Sequence, residues 1–198
     1  TNFVRTCIEI LSSLPSVVVG LFGYLIFVVQ FEYGFSIISG ALALTVFNLP
    51  QMTRNVEDSL RHVHHTQREA GLALGISRWE TVLHVVIPEA LPSIVTGIVL
   101  ASGRIFGEAA ALIYTAGQSA PALDWSNWNI FSVTSPISIF RQAETLAVHI
   151  WKVNSEGTIP DGTAVSAGSA AVLLIFILIF NLGARKLGSY LHKKLTSA

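Results

Sequence analysis

The chain has 198 residues, 52% of them hydrophobic and only 12% charged, with 12 Lys and Arg balancing 12 Asp and Glu. A soluble globular domain carries about 25% charged residues, so this composition argues against a fold solvated by water alone. The even charge leaves no basic excess to neutralise a nucleic-acid backbone, and one cysteine, Cys7, rules out a disulfide-stapled scaffold.

Charge-free runs locate the first elements. Residues 10–31, between Glu9 and Glu32, and residues 33–53, ahead of Arg54, each lack a charge. A helix needs about 20 mostly apolar residues to cross the hydrocarbon, so both runs are predicted spans, joined by a tight hairpin at Phe31-Glu32-Tyr33-Gly34. The first run is too long for the apolar region of a cleavable signal peptide. Residues 91–115 predict a third span, apolar except for Arg104 and Glu108, and residues 162–184 a fourth without charge.

Lys and Arg in the connections set the orientation. Arg5, Arg54, Arg61, Arg68, Arg78, Arg185, Lys186, Lys193 and Lys194 fall on one side of four alternating spans, against Arg141 and Lys152 on the other. Both chain ends and the 54–89 loop are therefore predicted cytoplasmic, and the 116–161 loop external.

The 54–89 loop is far more polar than its flanks. Val56, Leu60 and Val63 recur at helical spacing, and Glu57 stands four residues before Arg61. Gly71 and Gly75 allow a bend. Ser77 and Glu80, three apart, form a capping-box pattern at the start of a second short helix, and Pro88 and Pro92 close the stretch. On spacing alone this is equally a coupling element for a soluble partner or a plain surface connector.

Glu69-Ala70-Gly71, then Gly75, then Val85-Val86-Ile87-Pro88 resembles the EAA motif of ABC-importer permeases, with Gly71 for the third alanine and Val85 and Ile87 for the usual aliphatics. Within that family the chain is similar to phosphate-specific permeases of the PstA type. Leu14-Pro15-Ser16-Val17-Val18-Val19-Gly20, Arg104-Ile105-Phe106-Gly107-Glu108-Ala109-Ala110 and Asn181-Leu182-Gly183-Ala184-Arg185 carry the likeness, with Ala109 departing from a usual hydroxyl residue. The resemblance implies an all-α, polytopic transmembrane bundle of the type I importer fold, with residues 1–198 as one permease domain. It implies ATPase subunits docked on Glu69, Ala70, Gly71, Gly75 and Pro88, a second homologous permease subunit, an external phosphate-binding protein, and location in the cell membrane. It also implies further spans before residue 1, which is Thr and not Met.

Arg104 and Glu108 are the candidate substrate-path residues. Placed near the centre of the 91–115 span and one helical turn apart, they are expected to face a polar path and neutralise each other, because a charge at the bilayer centre costs at least about 2.5 kcal/mol. A guanidinium matches the oxygens of an oxyanion bidentately, and a neighbouring carboxylate competes for it and eases release. A helix-locking ion pair is the alternative. Gly97, Gly103 and Gly107 are expected to admit close backbone neighbours.

Other features carry less. His62, His64 and His65 lack the cysteine or carboxylate that would complete a metal site, so no metal is expected. Trp125, Trp128 and Trp151 favour a headgroup layer, and residues 137–153 have a mildly amphipathic helical pattern. No phosphate-cradling glycine loop and no catalytic triad signature occur. The chain is therefore not expected to be an enzyme or to hold a cofactor, and ATP hydrolysis belongs on a separate chain. Rival readings are a permease for sulfate or molybdate and, from a different class, an ion-gradient-driven transporter with Arg104 and Glu108 as a proton relay.

Overall fold

The structure, a computed structural model, describes residues 2–157 and 160–196, with side chains described from Phe3 through Tyr190, so those of Lys193 and Lys194 lie outside it. All regular elements among the described residues are helical. They are α1 (Asn2–Ser13), α2 (Ser16–Gly23, continued by a π-helical turn over Tyr24–Gln30), α3 (Ile37–Arg61), α4 (His65–Ala73), α5 (Arg78–Thr81, continued by a π turn over Val82–Val86), α6 (Ile87–Phe106), α7 (Ala110–Thr115), α8 (Leu146–Glu156) and α9 (Gly162–Thr196). The residues fall into two compact units, one of 1–50 with 104–176 and the other of 51–103 with 177–198.

The predicted first span starts late. Pro15 has no N–H and restricts the residue before it, so the helix breaks at Leu14, and Phe3–Ser13 is inclined by 99° to Ser16–Gln30. The hairpin that follows is where the sequence places it, with Glu32 and Gly34 both left-handed at φ 56° and 63°. Among the described residues, two helical runs are long and apolar enough to cross a membrane, Arg78–Phe106 and Gly162–Tyr190, and a third if the bent pair counts as one passage. These runs carry the third, fourth and, in the bent pair, first of the four expected spans. The second predicted span lies on α3, where Asn48, Gln51 and Arg54 dilute the apolar stretch.

In the first unit, α7 sits in a cage of small residues. A Cβ on Gly20 would lie 2.8 Å from the Ala111 backbone, one on Gly23 2.9 Å from the Ala43 methyl, and one on Gly40 2.8 Å from the Ala116 methyl. Side chains there would force the backbones apart, so glycine is required for the close approach. Close packing was expected instead at Gly97, Gly103 and Gly107. Added Cβ atoms would meet ordinary contacts of 3.6 Å at Gly103 and Gly107, and a tighter 3.3 Å neighbour, the Asn55 Cβ, at Gly97.

The start of α3 is held by other segments of the same unit. Its first N–H groups have no partner within the helix. The Ile37 N–H donates to the Arg141 carbonyl and the Ile38 N–H to the Ile139 carbonyl, each at 2.9 Å, while the Ser36 N–H donates to the Thr115 carbonyl at 3.1 Å. The predicted amphipathic segment 137–153 is helical only from Leu146. Thr145 caps α8 by accepting from the Val148 N–H at 3.3 Å, and Gly157 ends it in the left-handed region at φ 60°.

In the second unit, Leu60, Val63, Val86, Ala90 and Ile94 form one apolar cluster. The helical pattern read at Val56, Leu60 and Val63 is mostly the continuation of α3 past the charged positions, with Val63 just beyond its end. The Gly162–Tyr190 part of α9 contains the whole predicted fourth span.

Candidate functional site: a helix break and a helical hairpin

Arg104 lies in the last turn of α6 and not at the centre of a span. The helix stops because Gly107 follows, and the chain closes with short bonds from the Gly107 N–H to the Arg104 carbonyl and from the Glu108 N–H to the Ile105 carbonyl, both 3.1 Å. Glu108 is therefore past the end of α6, before the first residue of α7. The expected geometry, one continuous helix with both side chains on one face, is corrected to two helix ends facing a break. The charges suit these ends, since a cation favours a helix C-terminus and an anion an N-terminus.

Each side chain is positioned by its own neighbours. The Arg104 guanidinium carbon lies 5.0 Å from the ring centroid of Phe47 on α3, a ring only 8% exposed. Such a contact stabilises by about 0.5–2 kcal/mol depending on hydration, and it uses the cation's charge rather than its N–H donors. Glu108 accepts from the Ala111 N–H through Oε1 at 3.3 Å, which ties it to caged α7. Phe106 meets Phe176 of α9 edge-on at 5.2 Å and anchors the end of α6. Phe47 was not readable as part of this site, because nothing local marks a ring 57 residues upstream as the seat of an arginine.

The loop motif folds as a helical hairpin. Ser77 and Glu80 realise the capping box: the Ser77 N–H donates to Glu80 Oε2 at 2.9 Å, and the Glu80 N–H donates to Ser77 Oγ at 3.2 Å. Gly75 is left-handed at φ 79° with open space around it, so its conformation is what glycine supplies there. Gly71 has the opposite reason, because a Cβ would lie 2.9 Å from the Thr81 methyl where α4 packs on α5. Glu69 and Ala70 are exposed, Glu69 Oε1 accepting from His65 Nδ1 at 3.0 Å, and Pro88 is in the first turn of α6. Arg68, which the sequence marks only as one of the orienting charges, donates through Nη2 to the Leu60 carbonyl at 2.6 Å and so fastens α4 to the end of α3. Among the described residues no cluster of three His, Cys, Asp or Glu side chains has metal-binding geometry, and His62 instead bonds the Asp58 carbonyl at 2.6 Å.

An all-helical chain with apolar helices of membrane-crossing length is an integral membrane protein. The chain belongs to the family of binding-protein-dependent transport system inner membrane components, whose pattern matches residues 1–197. It is 61% identical over 197 residues to the "Probable ABC transporter permease protein YqgI" of Bacillus subtilis, covering 100% of this chain and 67% of that one. It is 37% identical over 185 residues to the phosphate transport system permease protein PstA of Xylella fastidiosa, covering 93% and 59%. To PstA of Haemophilus influenzae it is 33% identical over 186 residues, covering 94% and 60%. The chain thus spans less than two thirds of the length of these two phosphate permeases. No solved structure matches it.

Proposed function

We propose that this chain is the permease part of an ATP-driven phosphate importer, lining half of an anion path and docking an ATPase subunit on the α4–α5 hairpin. The observation that carries the reading is Arg104 at the open end of α6, stacked on Phe47 and followed across a helix break by Glu108. The relatives named as phosphate transport permeases support phosphate as cargo.

The chemistry follows from the arrangement. Phe47 meets the guanidinium through its charge, and the planar donors of a guanidinium suit two oxygens of a phosphate at once. At the last turn of a helix Arg104 escapes the full cost of the bilayer centre. Glu108, held by caged α7, repels an arriving anion and favours its onward release. Nucleotide-driven closure of two ATPase subunits would move the hairpin, and α5 passes that motion directly into the Arg78–Phe106 helix. A second homologous permease would complete the path and an external binding protein would deliver phosphate. In this reading α3 also crosses the membrane, with Asn48 buried and donating to the Leu44 carbonyl at 2.8 Å. Both ends and residues 54–89 then face the cytoplasm.

The test is uptake by the full-length protein reconstituted with its partners. Arg104→Gln is expected to abolish ATP-dependent phosphate uptake with assembly intact, and excess sulfate or molybdate to leave native uptake unchanged. Native-rate transport by the variant removes Arg104 from the path. Competition by sulfate moves the assignment to another oxyanion, and uptake that a protonophore collapses without ATP moves it to a gradient-driven transporter.

A further inference from the structure

Residues 124–140 bond many of their polar groups to one another and expose their largest rings. Asp124 Oδ1 accepts from the Ser126 N–H at 2.9 Å and its hydroxyl at 2.6 Å, Asn127 Oδ1 from the Asn129 N–H at 3.1 Å, and Asn129 Oδ1 from the Phe131 N–H at 3.1 Å. The Asp124 N–H closes the loop on the Thr134 carbonyl at 2.9 Å. Ser135 and Ser138 are 0% and 1% exposed, whereas Trp125, Trp128 and Phe131 are 70%, 63% and 76% exposed. Exposed large rings so close together in the chain are the informative feature, since single exposed apolar residues need no explanation.

The apolar side is continuous with a membrane helix. Phe27, on the Ser16–Gln30 helix, meets Phe31 at 6.0 Å between centroids, Phe31 meets Tyr33 at 5.8 Å, Tyr33 meets Phe140 at 6.1 Å, and Phe140 stacks on Phe131 at 5.9 Å. No charged residue occurs from Trp125 to Phe140. Specific protein contacts also gather aromatics, but within a polar rim and with Arg enriched. A segment without any charge, its turn-forming amides bonded internally and its indoles outward, has instead the chemistry of the headgroup layer, where Trp and Tyr collect and unpaired backbone groups are costly.

We propose that residues 124–140 are a membrane-interface anchor, with Trp125, Trp128 and Phe131 seated in the lipid headgroup layer beside the end of the Ser16–Gln30 helix. The ring series from Phe27 to Phe131 holds the loop at that level. Its occupant is lipid, and the anchoring does not depend on which solute the protein carries.

The test uses full-length protein in phosphatidylcholine–phosphatidylglycerol nanodiscs, with a spin label at Trp128→Cys and a control label at Ser155→Cys, both in a Cys7→Ser background. Collisions with oxygen relative to a water-soluble nickel chelate are expected to be severalfold higher at 128 than at 155. Equal ratios mean a water-facing loop, and collisions with neither reagent at 128 mean a protein cover; either result overturns the proposal. Because the label replaces one ring, a second readout keeps both. With every other tryptophan, Trp79 and Trp151 included, changed to Phe, lipids brominated near the headgroup are expected to quench the emission of Trp125 and Trp128. Quenching by aqueous iodide alone overturns it.

Discussion

The two long connections of this chain solve the same problem, ordering a stretch between helices, by opposite means. The 54–89 connection is helical and charged on its surface, with one capping box, one left-handed glycine and an arginine fastening α4 to Leu60. The 124–140 part of the other is held by side chain to backbone turns and carries aromatics outward. The first keeps charges exposed, and in the proposed function it serves a soluble partner as a lever. The second bonds many of its polar groups to one another and offers large exposed rings without a charge between Trp125 and Phe140. The loop sequence thus selects its solvent as much as its shape.

Three tests separate these designs, in falling order of effect. Gly75→Pro strikes the lever hardest, since proline is locked near φ −65° and cannot adopt 79°, and it also removes the N–H that reaches the Leu72 carbonyl at 3.0 Å. The expected result is loss of ATPase co-purification with membrane insertion retained, while Gly75→Asn, which tolerates the left-handed region, keeps most of the partner. A proline variant that still holds the ATPase would break the assignment of the hairpin.

A milder pair compares the caps. Ser77→Ala and Thr145→Ala should each lower stability by about 1 kcal/mol. Only the Ser77 change is expected to reduce coupling of ATP hydrolysis to transport, because only that cap orients the hairpin. Thermal unfolding in detergent, together with the ratio of phosphate moved to ATP hydrolysed, separates the two outcomes.

The smallest effect concerns Asp124. Hydrogen bonds from the Ser126 hydroxyl, chiefly, and from its backbone N–H hold the carboxyl below the usual aspartate range. A lowered folded value means that the contribution is present above the unfolded value and lost as pH falls through the folded one. The turn should therefore be intact at neutral pH and loosen only in acid below the ordinary aspartate range. Ser126→Ala is expected to return the titration toward that range, as followed by carboxyl carbon chemical shifts.

Much of this fold is legible in the sequence where the signal is local. The Ser77–Glu80 box, the bend at Gly75, the Phe31–Gly34 hairpin and the apolar part of α9 are each set by residues within a few positions of one another. Apolar run length carries no backbone direction, so the predicted spans include Pro15 and Gly107, where the chain breaks. The second break moved Arg104 from a span centre to a helix end and changed the expected charge cost. Phe47 under Arg104, and the glycine cage of Gly20, Gly23 and Gly40 around α7, depend on contacts between distant segments, which periodicity does not encode.

The bonds at the head of α3 have a mechanical consequence. The amide protons of Ile37 and Ile38 end on carbonyls of residues 141 and 139, so the first turn of that helix is latched by the neighbouring loop. Lifting residues 139–141 would undo the latch and let the turn fray. A protein that pulls on this loop from outside would thereby tug the helix carrying Phe47, and hydrogen exchange at two amides would register the pull.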